Sequence, residues 1–510
     1  MTDGLASIDS LSKAKYDIEL FLSGGDFDLF EDRAVVGLVE CQRAAVEVSF
    51  GKLIFSCWTD NWSRSWRVLR SGLEAGRLRL ECTRQMGRTA CTVTLSRDGT
   101  DLEGARTRAE FASMLGGLIE REMPGLKVAR ANVGRLDQRH LRGIHVRLVI
   151  KDRRATVAGI GISEREAQPA IDSALAAGIV WFDDLRKKVK SLKRLMIFAP
   201  RGRAATLATR LCALNPPGAS VSLFEVSERD QKIEPVVGFD QGDLLDRLRK
   251  ASQRTSRRAQ WPRERRLDPA AQSLINSVVL LAPDDIEQHQ RGAYVLLSIR
   301  GLEFARVSIA RRCVEFGLGA RMVKLDDGNR RQLAGLIDEI LMRRTSDPPD
   351  RGEVLFRAQA ERWLESAILR DVTAIDSTLD PRHVYSQVPA YRGEQRSYID
   401  LLSATRRGRL VVIELKVSED PDFPLQGLDY WLRVEWHRRR GDFERRGYFN
   451  GLKLADQPPL LYLVAPVFRF HATTKLISSW TTGQAPVYRV GINEDWRSGV
   501  NVLLLEKLNS

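Results

Sequence analysis

The chain has 510 residues, a formal net charge of +14 and a pI near 9.7, and 43% of it is apolar. That length exceeds what a single core needs, and the apolar share excludes global disorder. The charge is carried by arginine over lysine at about four to one, a surface suited to a polyanion such as DNA or RNA. The six cysteines form no CxxC, the six histidines no HxxxH, and no GxxxxGK[ST] occurs. These absences argue against a disulfide framework, a zinc site and a P-loop ATPase. No apolar run reaches the ~20 residues of a membrane span, and the first residues lack signal-peptide character, so a cytoplasmic protein is expected.

Residues 1–105 read as a β-rich N-terminal domain. GKLIFSC, GRLRLEC and CTVTLSR alternate with period two, the pattern of half-buried strands. Between them Trp58, Trp62 and Trp66 recur every fourth residue beside Arg64, Arg67 and Arg70. The spacing suits a helix or turn packed on a sheet. Aromatics interleaved with arginine also suit a nucleic-acid strand, with Trp66 and Arg67 as candidate contacts.

Residues 106–228 read as helix, strand, strand, helix, strand, helix, strand. Residues 229–345 form a connecting α/β region broken by a basic loop at 252–271. In that loop six arginines, Arg257 and Arg258 among them, surround Trp261 and Pro262. It reads as a solvated loop, with Arg257 and Arg258 as further candidate nucleic-acid contacts. DPPDRGE within the linker 346–353 cannot continue the preceding helix.

Residues 354–510 open with a helix, then give three strands, a helix, a strand, a second helix and two closing strands. The third strand, VVIELKV, carries Glu414 and Lys416 on one face and Val411, Ile413, Leu415 and Val417 on the other. The strand before it, YIDLL, holds a lone acid, Asp400. With Arg406–Gly408 as a three-residue hairpin loop, Thr405 pairs with Arg409 and Asp400 falls directly opposite Glu414. Two facing carboxylates repel, and a divalent cation between them explains their proximity. Oxygen ligands point to Mg²⁺ or Mn²⁺. Lys416, one pleat along, is placed to touch a phosphate or an attacking water. Glu361 and Glu365 share a face of the opening helix, where either could reach the cation or simply meet solvent. Gln426, Tyr430 and Arg433 share a face of the helix after the strand. Gln and Tyr can orient a phosphate or a bound water without adding charge.

Asp400, then Glu414-Leu-Lys416, then Gln426-Gly-Leu-Asp-Tyr430 resembles the PD-(D/E)XK nuclease superfamily. The pattern is most similar to its QxxxY branch, which includes RecB-like nucleases and archaeal NucS-like endonucleases. The resemblance covers roughly residues 354–466 and implies an αβββαβ restriction-endonuclease-like core with a mixed sheet. It implies that Asp400, Glu414 and the Leu415 carbonyl hold Mg²⁺ or Mn²⁺, with Glu361 or Glu365 as the helix acid. It further implies that Lys416 positions the nucleophilic water and that Gln426 and Tyr430 are the branch-specific pair. Ile399 stands where many members have proline. The implied activity is metal-dependent hydrolysis of nucleic acid, DNA before RNA; the sequence leaves the oligomeric state open, a homodimer included. The alternative is a catalytically silent nucleic-acid-binding or scaffold protein with the same fold. A third reading has Lys416 simply bridging the acids as part of the fold.

The segment 106–228 reads as a degenerate copy of the same fold. IKDRRATVAGIGIS and the helix after it match ATRRGRLVVIELKVS and its helix, and LMIFAP matches LYLVAP. Aligned through Ser163 and Ser418, Gly159 falls at Glu414 and Gly161 at Lys416, which leaves no metal site.

Overall fold

The computed structural model describes residues 8–31, 34–49, 52–59, 62–74, 77–84, 89–96, 102–134, 145–153, 155–238, 246, 267–318, 321–349, 354–392 and 395–509. It is a mixed α/β protein with several sheets, and the chain divides into two compact units, Met1–Arg254 and Thr255–Ser510. Arg257 and Arg258 lie outside the described residues.

The first unit begins with helix α1 (Ile8–Leu22) and strands β1 (Phe27–Glu31), β2 (Ala34–Val39), β3 (Ala44–Ser49), β4 (Lys52–Thr59), β5 (Trp62–Glu74), β6 (Arg77–Arg84) and β7 (Thr89–Ser96). They form one antiparallel sheet in the order β2-β1-β7-β6-β5-β4-β3. The tryptophan segment is therefore two strands of a hairpin rather than a helix or turn. Period-two alternation puts Trp66 inward and Arg67 outward. Trp66 is fully buried, stacked on Phe55 with ring centroids 5.9 Å apart, and its indole N–H donates to the Glu31 carboxylate. A ring spent on the core offers no face to a base, so Trp66 is a core residue.

The same unit continues with α2 (Leu102–Glu122), β8 (Leu126–Gly134), β9 (His145–Asp152), β10 (Ala155–Gly161), α3 (Ala174–Lys188), β11 (Arg194–Pro200), α4 (Ala205–Leu211), β12 (Ser220–Ser227) and β13 (Lys232–Pro235). Two of these strands are absent from the sequence reading. β8 and β13 are the edges of their sheet. Lys127, Arg130 and Lys232 interrupt their apolar pattern, as charges on edge strands do.

The second unit holds α5 (Pro269–Val279), then β14 (Ile286–Arg291), β15 (Tyr294–Ile299), β16 (Leu302–Ser308), β17 (Cys313–Leu318) and β18 (Arg321–Lys324), an antiparallel meander, and α6 (Arg330–Arg343). The last sheet follows: α7 (Ala360–Arg370), β19 (Leu379–Arg392), β20 (Gln395–Thr405), β21 (Leu410–Leu415), α8 (Phe423–Arg439), β22 (Leu460–Pro466), α9 (Thr474–Ser478), β23 (Val487–Ile492) and β24 (Val502–Lys507). The meander and the last sheet lie in one compact unit. Leu355 and Ala358 pack on the meander's core, and the buried Arg344 donates to their carbonyls at 2.6 Å each.

The sheets β8–β13 and β19–β24 share one topology. In each, strands lie in chain order, the first three antiparallel, the third to fifth parallel, the last antiparallel. Parallel central strands need both faces covered, and β21 and β22 are buried at every position.

The β20–β21 turn sets the register of the site. Thr405 N–H donates to Arg409 O at 2.8 Å, and Leu401 pairs with Ile413. Gly408 closes the turn at φ +83°, and a Cβ there would come 2.0 Å from Lys453 O. Gly408→Ala therefore incurs a left-handed penalty of roughly 1–3 kcal/mol before any clash, and urea unfolding should show the second unit weakened by at least that. His289 on β14 meets Ser386 Oγ on β19 at 3.0 Å, and its pKa is pulled down to about 4 by burial, then by Arg362 and Arg291. Because the folded imidazole resists protonation, its contribution is present above the ordinary value of 6.5 and lost as pH falls toward about 4. Denaturation midpoints between those pH values should fall with acid, and His289→Gln should flatten the fall.

Candidate active site

One row of polar side chains crosses the last sheet on the face toward α8. Ser386 pairs with Leu401 and Val388 with Ile399, which sets Gln387 opposite Asp400. One step beyond the Leu401–Ile413 pair, Asp400 lies opposite Glu414, the pairing that the turn length predicts. Gln387, at φ +48°, donates through Nε2 to Glu365 Oε2 at 2.7 Å and reaches Asp400 Oδ1 at 3.5 Å. Asp400 Oδ2 accepts the Leu415 N–H at 2.9 Å. Leu415 thus enters the site through its amide, which fixes the Asp400 rotamer.

Glu414 and Lys416 are nearly inaccessible, at 1% and 2% exposure. Lys416 Nζ stands 3.4 Å from Glu361 Oε1 and 3.7 Å from Glu414 Oε1, with the Phe423 ring 6.0 Å away. Glu365 is also buried and pairs with Arg362 at 3.1 Å. Both Glu361 and Glu365 therefore belong to the cluster, from successive turns of α7. Tyr430 is buried beside it and hydrogen-bonds Gln426 one turn earlier on α8. Arg433, half-buried another turn along, lowers the pKa of His437. Asp230–Lys232, the other DxK of the chain, is exposed.

Burial raises the Glu414 carboxyl well above its usual range, and the facing Asp400 raises it further against the pull of Lys416. Burial works against the Lys416 ammonium, but Glu361, Glu414, Asp420 and Asp400 outweigh it and hold the proton. Burial, then Glu414 and Asp400, keep the Tyr430 phenol neutral. Gln387 and Asp420 escaped sequence reading. Gln387 lies in an alternating strand like any outward residue, and Asp420 lies in a loop, SEDPD, whose acids look solvated.

Carboxylate oxygens are the donor type that a hard divalent cation takes, and Glu414 Oε2 is buried without a hydrogen-bond partner among the described residues. Among the described residues no three His, Cys, Asp or Glu side chains are already arranged around one point to hold a metal ion. The Lys416 ammonium is the cation that the carboxylates face in this structure.

The corresponding positions of the β8–β13 sheet follow from register. Ile162 N–H donates to Phe198 O as Lys416 N–H does to Val464 O, both at 3.0 Å. Ile160 pairs with Ile197 as Glu414 pairs with Leu463, and β11 and β22 end at Pro200 and Pro466. A Cβ added to Gly178 of α3 would meet Leu195, and one added to Gly427 of α8 would meet the matching Leu461. Ile160 and Ile162 thus stand where Glu414 and Lys416 stand, and Arg147, opposite Ile160, stands where Asp400 does. Trp181, three residues after Gly178, matches Tyr430. The alignment through Gly159 and Gly161 is one residue out of register, and such a slip moves side chains to the other face. A Cβ on Gly161 would meet Leu115 of α2 instead.

No protein-family model matches the chain, and no curated protein matches it.

Removing Lys416 leaves buried carboxylates without their cation, which costs about 3–5 kcal/mol. Lys416→Met should lower the melting temperature of metal-free protein sharply. Glu414→Gln, which removes a buried charge facing Asp400, should leave it unchanged or raised. Equal losses in the two variants would contradict this account of the electrostatics.

Proposed function

We propose that the chain is a metal-dependent nuclease of the PD-(D/E)XK superfamily, QxxxY branch, with its active centre in the restriction-endonuclease-like last sheet and DNA as the favoured substrate. The observation that carries this reading is the convergence of half-buried Asp400 with the buried Glu414 and Lys416, with Glu361 and Glu365 beside them. Catalytic groups at the carboxyl end of parallel strands are the rule in open α/β sheets, and Lys416 lies just past the end of β21. The surplus of arginine agrees with a polyanionic partner.

Asp400 and Glu414 would hold Mg²⁺ or Mn²⁺, with the Leu415 carbonyl and a glutamate of α7 as further donors. Such an ion polarises the scissile phosphate and lowers the pKa of a bound water. Lys416, locked as ammonium by its carboxylate neighbours, donates to a phosphate oxygen or to the attacking water and does not serve as the base. Tyr430, held neutral, donates a hydrogen bond, with Gln426 fixing its hydroxyl. The β8–β13 sheet, with Ile160, Ile162 and Arg147 at the matching positions, is a degenerate copy without a metal site.

The competing reading, a silent binding or scaffold protein, draws on Lys416 lying between Glu361 and Glu414, where it satisfies the acids without a metal. Labelled single-stranded, double-stranded and branched DNA, and RNA, incubated with Mg²⁺, Mn²⁺ or EDTA, separate the two. Cleavage that needs the metal and falls by about 10²-fold or more in Glu414→Ala is expected. Binding without cleavage under either metal would favour the silent reading.

A further inference from the structure

Strand β19 holds one residue in a backbone conformation that the ladder does not require. Of the seven non-glycine residues at positive φ among the described residues, six lie in turns and one, Gln387 at φ +48°, lies within a strand. The left-handed region is disfavoured for a residue with a Cβ, and it persists where the surroundings enforce it. The ladder keeps one register across Gln387, Ser386 with Leu401 and Val388 with Ile399, so the conformation inserts no bulge. Its neighbours are anchored on both sides. Ser386 Oγ meets His289 Nδ1 at 3.0 Å, and Val388 is buried in the core.

What the conformation secures is the side chain. Gln387 is buried, and its Nε2 donates to Glu365 Oε2 at 2.7 Å and to Asp400 Oδ1 at 3.5 Å. The acids of the site thereby fall into two groups. Lys416 Nζ lies 3.4 Å from Glu361 and 3.7 Å from Glu414. Gln387 lies between Glu365 and Asp400, where Arg362 also reaches Glu365 at 3.1 Å and the Leu415 N–H reaches Asp400 at 2.9 Å. A lysine at position 387 would oppose a metal ion there, and a third carboxylate would repel the other two. An aliphatic side chain would leave the pair unlinked. An amide donates without adding charge, so it holds two carboxylates in place for a cation.

We propose that Gln387 is a positioning residue of the metal centre: it holds Glu365 beside Asp400 and makes Glu365, rather than Glu361, the helix acid that reaches the ion. Glu361 then remains the partner of Lys416. This role rests on the nuclease reading of the same site.

The test is titration of the metal-free full chain with Mn²⁺, followed by electron paramagnetic resonance, in the wild type, Gln387→Met, Gln387→Gly, Glu365→Gln and Glu361→Gln. Met keeps the length of the side chain without its amide. Gly adopts the left-handed backbone without strain, so Gln387→Gly carries the test if Gln387→Met does not fold. Both Gln387 variants should weaken Mn²⁺ binding by about tenfold or more, as loss of an outer partner of a metal ligand does. Glu365→Gln should weaken it at least as much, and Glu361→Gln by less. In the Glu365→Gln background Gln387→Gly should add nothing, whereas a residue acting independently of Glu365 would add its full effect. Unchanged Mn²⁺ affinity in Gln387→Gly overturns the proposal. So does full additivity with Glu365→Gln, or a larger loss from Glu361→Gln than from Glu365→Gln. Each of these outcomes leaves the nuclease reading standing, while a wild-type chain that binds no Mn²⁺ overturns both.

Discussion

The last sheet is organised around a carboxylate that it should not bury. Glu414 sits at 1% exposure in a strand buried at every position, facing Asp400. Desolvating a charge costs several kcal/mol, and a like charge across the ladder adds to it. The compensation comes from separate elements. Lys416 lies just past the end of the same strand and Glu361 arrives from α7, while Gln387 of β19 ties Asp400 to Glu365. The Leu415 amide holds the other oxygen of Asp400. Each is correct only if the β20–β21 register is correct, so the three-residue turn ending at Gly408 governs the site.

The β8–β13 sheet shows that this topology does not need the charges. At the matching positions Ile160 and Ile162 fill the same face with apolar volume and are inaccessible. Arg147 replaces the aspartate, with its guanidinium 5.6 Å from the Trp181 ring. Replacing a buried ionic group by packed aliphatics is often neutral or stabilising. A fold that is satisfied with isoleucine at these positions has no structural need of Glu414 and Lys416. Their presence in the other sheet is the feature that the proposed chemistry accounts for.

Strand register and site were legible in the sequence where a local rule was strong. Alternation placed Glu414 and Lys416 on one face, and turn length paired Asp400 with Glu414. Helical spacing put Gln426 with Tyr430 and Glu361 with Glu365. Legibility failed where the deciding contact was tertiary. Gln387 matters only because β19 lies beside Asp400, and nothing within SQVPAY says so. Trp66 followed a four-residue spacing that strands do not obey, and its role was set by Glu31 and Phe55 on other strands. The alignment through Ser163 is one residue off because that serine lies past the strand, where loop length can differ without disturbing the ladder. Hydrogen bonds of the parallel ladder restore the register, since they permit no slip.

Helix α7 joins two electrostatic environments of opposite sign. Glu361 and Glu365 face the carboxylate row, while Trp363, Ser366, Ala367 and Arg370 line a cavity together with Arg300 and Arg497. These positions lie on opposite sides of one short helix, as a period of 3.6 residues requires. The Glu287 carboxylate binds Ser366 and approaches Arg370 from the meander, so the meander helps set the helix's position. Arg362 bridges toward Glu365 and also lowers the pKa of His289 on β14. A displacement of α7 therefore cannot alter one environment alone. It moves the acids against Lys416 and the Trp363 indole against Arg344 and Arg497 together, so the packing of this helix on the meander fixes the geometry of both.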